Sequence, residues 1–456
     1  MEQGVLLADG EAAEVIEARR ATQWAEQAAA QRQAAPRLVV ANRNQVELRP
    51  QDLESLLPAG HHARAVWAVV EKLDLSRFYE PIKARGSAAG RSATDPKVLV
   101  ALWLYATTEA VGSAHELERL CQAHDAYRWL RGGVPVNYHT LSDFRTAHDT
   151  ALDELFTQLL AVMTQQGLVR LRRVAQDGMR VRASAGAASF RRRPRLEELL
   201  AAAKAQVETV KAQGDGGGGA ACPRRQQAAQ ERAARERAER VQRALVEMEK
   251  IEEHRRNRTD GHQSKGAPRA STTDPEARPM KMADGGFRPA YNAQLATETE
   301  SRVIVGVGLT DAGNDYAQAE PMVEQIEERT GEKPPEMVVD GGFVSKAVVE
   351  AFAEQAVTLF GPVPERKGVA DPYALTPGDS PAVQAWKHRM ATAEGQVIYR
   401  ERAATAETVN ADLRTWRTLD RLLVRGKRKA LCVLLWNALA YNILRWVALA
   451  PPSCTS

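Results

Sequence analysis

Apolar residues between positions 37 and 165 recur at steps of three and four, the spacing of one buried helix face. The runs Leu53–Leu57, Ala63–Leu73, Asp95–Thr108, Ala114–Ala123 and Ala126–Leu130 all carry it, so this part of the chain reads as all-helical. Gly132-Gly133-Val134-Pro135 breaks the pattern. Thr140-Leu141-Ser142-Asp143 then opens another helix, with Thr140 as N-cap and Asp143 near the positive helix end. Helix, Gly/Pro turn, helix suits a helix-turn-helix that reads DNA, and equally an ordinary helical hairpin. Residues 1–36, rich in Ala, Glu and Gln, read as a helical or frayed extension.

From residue 170 the pattern changes. Arg172–Ala183 alternates and predicts a strand. Leu196, Leu200, Ala203, Val207 and Val210 then step by four and three, and after a run of glycines the stepping returns at Ala234, Ala238, Val241, Leu245 and Met248. Two such helices on a Gly-rich linker predict an antiparallel helical hairpin inserted over 190–265. Strand signals resume at Tyr291–Thr297 and Arg302–Leu309. A helix follows over Tyr316–Arg329, a strand over Glu336–Asp340, a helix over Ser345–Gln355 and a strand over Val357–Val363. Residues 364–385 read as loop, and a helix begins by His388 and runs through Glu407. Three strands that can form a meander, followed by strands joined through helices, match an RNase H-like mixed sheet. The predicted class is α+β, with an extension at 1–36, a helical domain at 37–165, and an RNase H-like domain at 170–450 carrying the hairpin insertion.

Composition narrows the picture little. Lysine and arginine exceed the acids by only four, but the basic residues cluster, as at Arg191-Arg192-Arg193 and Arg425-Gly426-Lys427-Arg428-Lys429. Such patches can hold phosphates on a nearly neutral protein. Four dispersed cysteines, with no CxxC pair, argue against a zinc ribbon or a disulfide framework. His115, His124, His139 and His148 fit no usual metal spacing. The early glutamates exclude a signal peptide, and the apolar stretch Ala430–Ala450 is interrupted by Asn437, Asn442 and Arg445. It reads as a core helix with one wet or functional edge, along Asn437, Tyr441 and Arg445, rather than a membrane span.

Three acids stand in contexts that suit joint chemistry. Asp177 lies within the first strand, Asp340 ends the strand Met337-Val338-Val339, and Glu407 sits on a helix. Separate rigid elements can bring such carboxylates to one point, where two Mg²⁺ ions would activate an attacking oxygen and steady a leaving one during phosphodiester cleavage. Asp284, in a near copy of the segment after Asp340, is set aside because Lys281-Met282-Ala283 does not read as a strand. Arg400, Glu407 and Arg414 are seven residues apart and predict one helix face carrying guanidinium groups for phosphate, with Tyr399 and Arg402 on the neighbouring face.

These residues resemble those of bacterial insertion-sequence transposases of the DDE type. Tyr399, Arg402, Glu407 and Arg414 resemble the Tyr-Arg-Glu-Lys signature around the catalytic glutamate, with Glu407 one residue further from Arg402 than the commonest spacing and Arg414 in place of the lysine. Gln176–Ala183 is similar to the family's first-aspartate strand and Val338–Phe343 to its second. Ser271-Thr272-Thr273-Asp274-Pro275-Glu276-Ala277-Arg278 and Tyr291-Asn292-Ala293-Gln294 are similar to other recurring stretches, and residues 91–145 to the helical N-terminal transposase domain. The resemblance implies a cytoplasmic, nucleoid-associated recombinase acting on double-stranded DNA as a homo-oligomer. It would bind the element's terminal inverted repeats, cut, and transfer a strand. Asp177, Asp340 and Glu407 would hold two Mg²⁺ ions, with Mn²⁺ able to replace them. A catalytically inactive DNA-binding remnant that represses transposition is the alternative.

Overall fold

A computed structural model describes residues 9–33, 44, 46, 50, 52–86, 92–215, 221–257, 266–365 and 371–450. The chain divides into two units, Met1–Gln51 and Asp52–Ser456. The first holds the helix Asp9–Gln33, exposed along residues 15–29.

Among the described residues the second unit has two sheets. In chain order the strands are β1 (Arg173–Arg182), β2 (Phe190–Arg191), β3 (Ala270–Ser271), β4 (Arg278–Lys281), β5 (Phe287–Glu298), β6 (Ile304–Thr310), β7 (Glu336–Val339) and β8 (Thr358–Phe360). The main sheet runs β4-β5-β1-β7-β8, with β6 also on β5, while β2 and β3 pair separately. β5 is antiparallel to β1, β4 and β6, whereas β7 is parallel to β1 and β8. The parallel strands need crossovers, which the helices Ala319–Thr330 and Lys346–Glu354 supply. Strands buried on both faces need continuous apolar runs, and Met337, Val338 and Val339 are fully buried. This is an α+β fold with an RNase H-like sheet.

One core joins the helical region to the sheet. Helix Lys427–Leu449 packs on helices Pro96–Thr108, Tyr138–Ala147 and Asp149–Gln165, and on β6. Its Trp436 Nε1 donates to Arg145 O at 3.0 Å, and Trp103 Nε1 to Leu141 O at 3.0 Å, so both indoles bury without losing a hydrogen bond. Each large apolar side chain taken from water here contributes roughly 1.5–3 kcal/mol. Helix Lys427–Leu449 is long and apolar enough to cross a bilayer, but 78% of its most apolar window is buried within the protein.

The polar positions of that helix correct one expectation. The stripe of Asn437, Tyr441 and Arg445 is no wet edge, since Asn437 and Tyr441 are buried. Arg445 donates to Ser301 O, and the nearby Asn442 bonds both N–H and C=O of Ile304. These side chains satisfy the backbone at the β5–β6 turn, where an unpaired buried amide would be costly.

Other boundaries also shift. Helix Tyr138–Ala147 starts a turn before Thr140, because Asn137 caps it and accepts from Thr140 N at 2.9 Å. The helix expected from His388 through Glu407 begins earlier, at Pro381, and breaks at Thr392, whose hydroxyl caps Ala393–Arg402. β4 is a strand up to Lys281, so Asp284 lies in the β4–β5 hairpin turn and pairs with Arg288 at 2.6 Å. Histidines 115, 124 and 148 make ring contacts, and the ring of His115 stacks on Tyr138.

The helices Arg193–Asp215 and Ala221–Asn257 form the antiparallel hairpin. Leu196, Val241, Ala244, Leu245 and Met248 make a small core of their own with Ala270. Because that core is separate, excising 196–251 should leave the main sheet cooperative, with a melting temperature near that of the intact chain. Loss of the β signal by circular dichroism would show that the hairpin is needed for the sheet.

Candidate active site

Side-chain alternation along β1 sends Gln176 and Gly178 to one face and Asp177 to the other. The parallel register pairs Gln176 with Val339, so Asp177 and Asp340 follow as the next position on adjacent strands. Asp340 Oδ1 accepts from Gly341 N at 2.6 Å as the chain leaves β7. Asp177 Oδ1 accepts from Gly178 N at 3.0 Å.

Burial pushes the Asp177 carboxyl up to about 6; Arg402 and the Gly178 amide oppose this, while Asp340 and Asp315 add to it. The ionised form therefore carries a folding cost above pH 6 that is absent below about pH 4. Asp177→Asn should accordingly stabilise the fold above pH 6 by roughly 2–3 kcal/mol, the gain fading as pH falls from 6 to 4. Urea melts across that range, with EDTA present, measure it. A gain that persists at pH 4 would exclude ionisation as its cause.

Glu407 arrives from the helical segment after β8. Arg173 anchors this segment to the sheet, pairing with Glu336 of β7 and Glu401, each at 2.6 Å. Between helix Ala393–Arg402 and helix Thr408–Trp416 the backbone makes a π turn, Ala403–Glu407. A π turn takes one extra residue, so Arg402 and Glu407, five apart, meet as residues four apart do on an α-helix. Arg402 Nη2 lies 2.7 Å from Glu407 Oε1, and Nη1 lies 3.7 Å from Asp177 Oδ2. The same turn breaks the seven-residue phase, so the partner of Glu407 is Arg402 and not Arg400. Burial works against the Arg402 charge, but Asp177, Asp340, Tyr399 and Glu407 outweigh it and raise its pKa. Its guanidinium stands 6.0 Å from the Tyr399 ring. Arg400 and Arg414 are exposed and have no carboxylate partner among the described residues.

The structure brings Asp177 and Asp340 together by register and links Glu407 to them through Arg402. Among the described residues, no three His, Cys, Asp or Glu side chains stand as a ready metal cluster. The donor chemistry nevertheless fits a hard cation. Asn410, which sequence reasoning missed, donates from Nδ2 to Asp177 Oδ2 at 3.0 Å, and its buried Oδ1 has no partner among the described residues. An orphaned amide oxygen beside two carboxylates is an oxygen-only donor set. The one sequence signal for Asn410 is its place three residues after Glu407, on the same helical face.

Asp315 was also missed. Its Oδ1 accepts from Asn292 Nδ2 at 2.8 Å and Gln294 Nε2 at 2.7 Å. It rests against Gly178, where a Cβ would collide with that oxygen, so this position needs glycine. The stretch Tyr291–Gln294 thus holds the back of the site. Ser271–Arg278 is a clamp. Asp274 accepts from Tyr291 OH at 2.7 Å and Gly426 N at 3.1 Å, and Glu276 from Lys427 N at 2.9 Å, fixing the start of the core helix. Gly426, with φ of 89°, is suited to that entry.

Residues 258–443 match the Transposase DDE domain family, and residues 51–147 match the Transposase domain family (DUF772). The first match contains Asp340 and Glu407, and β1 with Asp177 precedes it. No curated protein and no solved structure gives a significant match.

Proposed function

The chain belongs to the insertion-sequence transposases of the DDE type, and on that premise we propose that it binds the terminal inverted repeats of its own element, cleaves one phosphodiester to expose a 3′-OH, and directs that hydroxyl at target DNA. The observation that carries this reading is the shared position of Asp177 and Asp340 on adjacent parallel strands, with Glu407 tied to the same place by Arg402.

The family typically works with divalent metals. Asp177, Asp340 and Glu407 would hold Mg²⁺ or Mn²⁺, with Asn410 Oδ1 beside them. When bound, the cation lowers the pKa of the attacking oxygen and offsets charge on the leaving one. The chain's own residues do the rest. Asn410 orients Asp177 through its amide. Arg402 keeps Asp177 and Glu407 on one side of the sheet, and its fork matches a phosphate as well as a carboxylate. Arg400 and Arg414, which pair with no carboxylate among the described residues, meet backbone phosphates, and Tyr399 backs the Arg402 guanidinium. Both chemical steps are displacements at phosphorus, so one constellation serves both without a covalent enzyme intermediate. The helical region 52–165 contributes DNA contacts, and two copies of the chain hold two ends together.

The test is divalent-metal-dependent nicking of DNA carrying the inverted repeats that flank this reading frame. Nicking at the repeat ends supports the reading, and binding with no cleavage under any divalent metal would overturn it.

A further inference from the structure

Among the described residues, Arg402 is the only lysine or arginine that forms an ion pair with Asp177, Asp340 or Glu407. Its guanidinium is divided between two of them, with Nη2 2.7 Å from Glu407 Oε1 and Nη1 3.7 Å from Asp177 Oδ2. The Arg402 side chain is 14% exposed. Carboxylates gathered in a half-buried place repel one another and lose hydration, so they need a counter-charge. A guanidinium is weakly hydrated and loses less than an ammonium on leaving water. Against the effect of burial, all three acids support its charge.

Asp177 Oδ1 is held by the Gly178 amide at 3.0 Å, which leaves Oδ2 for a cation, and Oδ2 is the oxygen that faces Arg402. Glu407 Oε1 likewise faces Arg402. Asn410 also donates to Asp177 Oδ2, at 3.0 Å, but a turned amide would meet a cation with its Oδ1. Arg402 carries donors only and has no such alternative. Its grip is looser than that of other arginines in this chain. Arg193 engages Glu252 through two nitrogens, at 3.1 and 2.7 Å, and Arg173 reaches both its carboxylates at 2.6 Å. A Mg²⁺ ion stands about 2.0–2.1 Å from its oxygens, which leaves no room for a guanidinium on the same lone pairs.

We propose that Arg402 is a resident counter-ion which keeps Asp177 and Glu407 together until it yields Asp177 Oδ2 and Glu407 Oε1 to a divalent cation, the two occupying these oxygens in turn. Loading the site then turns the Arg402 head away from the acids. The Tyr399 ring, 6.0 Å from the guanidinium, gives the displaced head a face to rest on. Arg402 thereby opposes the cation and sets how tightly the site holds it. This deepens the reading of the chain as a metal-dependent transposase and rests on the ligands named there.

The experiment titrates Mn²⁺ into the full chain without DNA, after EDTA treatment and dialysis, and follows binding by calorimetry and by loss of the free Mn²⁺ electron paramagnetic resonance signal. Ligands that compete through one protein group typically change each other's affinity about 5–150-fold. Arg402→Gln should accordingly tighten Mn²⁺ binding by about tenfold. Arg402→Lys keeps the charge, but its single ammonium cannot bridge both acids, and it should tighten binding by about threefold. Arg400→Gln removes an exposed neighbouring charge and should change affinity by less than about twofold, which measures the effect of net charge alone. Weaker binding in Arg402→Gln would show that Arg402 builds the cation site and would overturn the proposal. Wild-type affinity in Arg402→Lys would leave only a charge effect and would overturn it too. Arg402→Lys retains a cation beside Glu407, so it decides the question alone if Arg402→Gln does not fold. Asp177→Asn is the reference for the site. Mn²⁺ binding that survives Asp177→Asn unchanged would place the cation elsewhere and overturn both the proposal and the metal ligands it rests on.

Discussion

Asp177→Asn, Asp340→Asn and Glu407→Gln should each reduce cleavage of element ends by on the order of 10⁴-fold, with end binding kept within a few fold. Each change removes one negative charge and almost no volume. At Asp177 the Gly178 amide and the Asn410 amide sit on the two carboxylate oxygens, so an asparagine keeps its oxygen on the Gly178 amide while a turned Asn410 amide offers its otherwise unpartnered Oδ1 to the new donor. At Asp340 the change removes a carboxylate without touching the buried run Met337–Val339. Glu407→Gln keeps an acceptor for Arg402 but loses the charge opposite the guanidinium. None of the three changes breaks the core, so the pattern of lost chemistry with retained binding separates a catalytic role from a structural one. Gel-shift and nicking assays on the same end DNA measure the two quantities. Full activity in any one variant removes that residue from the site.

Trp436→Ala should destabilise the whole second unit by about 3–5 kcal/mol. Trp436 is fully buried, and its indole bonds Arg145 O across the contact between helices Lys427–Leu449 and Tyr138–Ala147. Removing it leaves a large void and an unpaired carbonyl at the point where the helical region meets the core helix. Arg145 adds to the cost. It is buried, burial lowers its pKa to about 10, and its guanidinium lies 4.6 Å from the Trp103 ring, so a shift here disturbs a charge with little access to water. Because one core serves the helices and the sheet, far-ultraviolet circular dichroism and tryptophan fluorescence should lose their signals together in urea. Two separated transitions, or a cost under 1 kcal/mol, would show that the helices and the sheet fold independently.

Much of the architecture was legible in the chain. Period-four stepping located helices Ala114–Ala123 and Asp125–Arg131 to within a residue, and alternation located β1. Local capping was less legible, since Asn137 and Thr140 are both good caps and the choice depends on which turn the core accepts. The acidic positions Asp177 and Asp340 could be singled out because the first lies within a strand pattern and the second ends the apolar run Met337-Val338-Val339. Asn410 and Asp315 could not, because an isolated Asn on a helix or Asp in a loop carries no periodic signal.

What the sequence determined by itself was the set of elements and their order, because hydrophobic period and turn chemistry act over a few residues. What the tertiary structure decided was the pairing of charges. Seven-residue spacing put Arg400 and Arg414 on the face of Glu407, but the π turn at Ala403–Glu407 shifts the helix by the extra residue and brings Arg402 to it. The polar stripe on the last helix looked wet or functional, yet Asn437 and Tyr441 are buried, and Arg445 and the neighbouring Asn442 bond the backbone at Ser301 and Ile304. Both outcomes depend on partners more than a hundred residues away or on a backbone irregularity, and neither leaves a mark in local spacing.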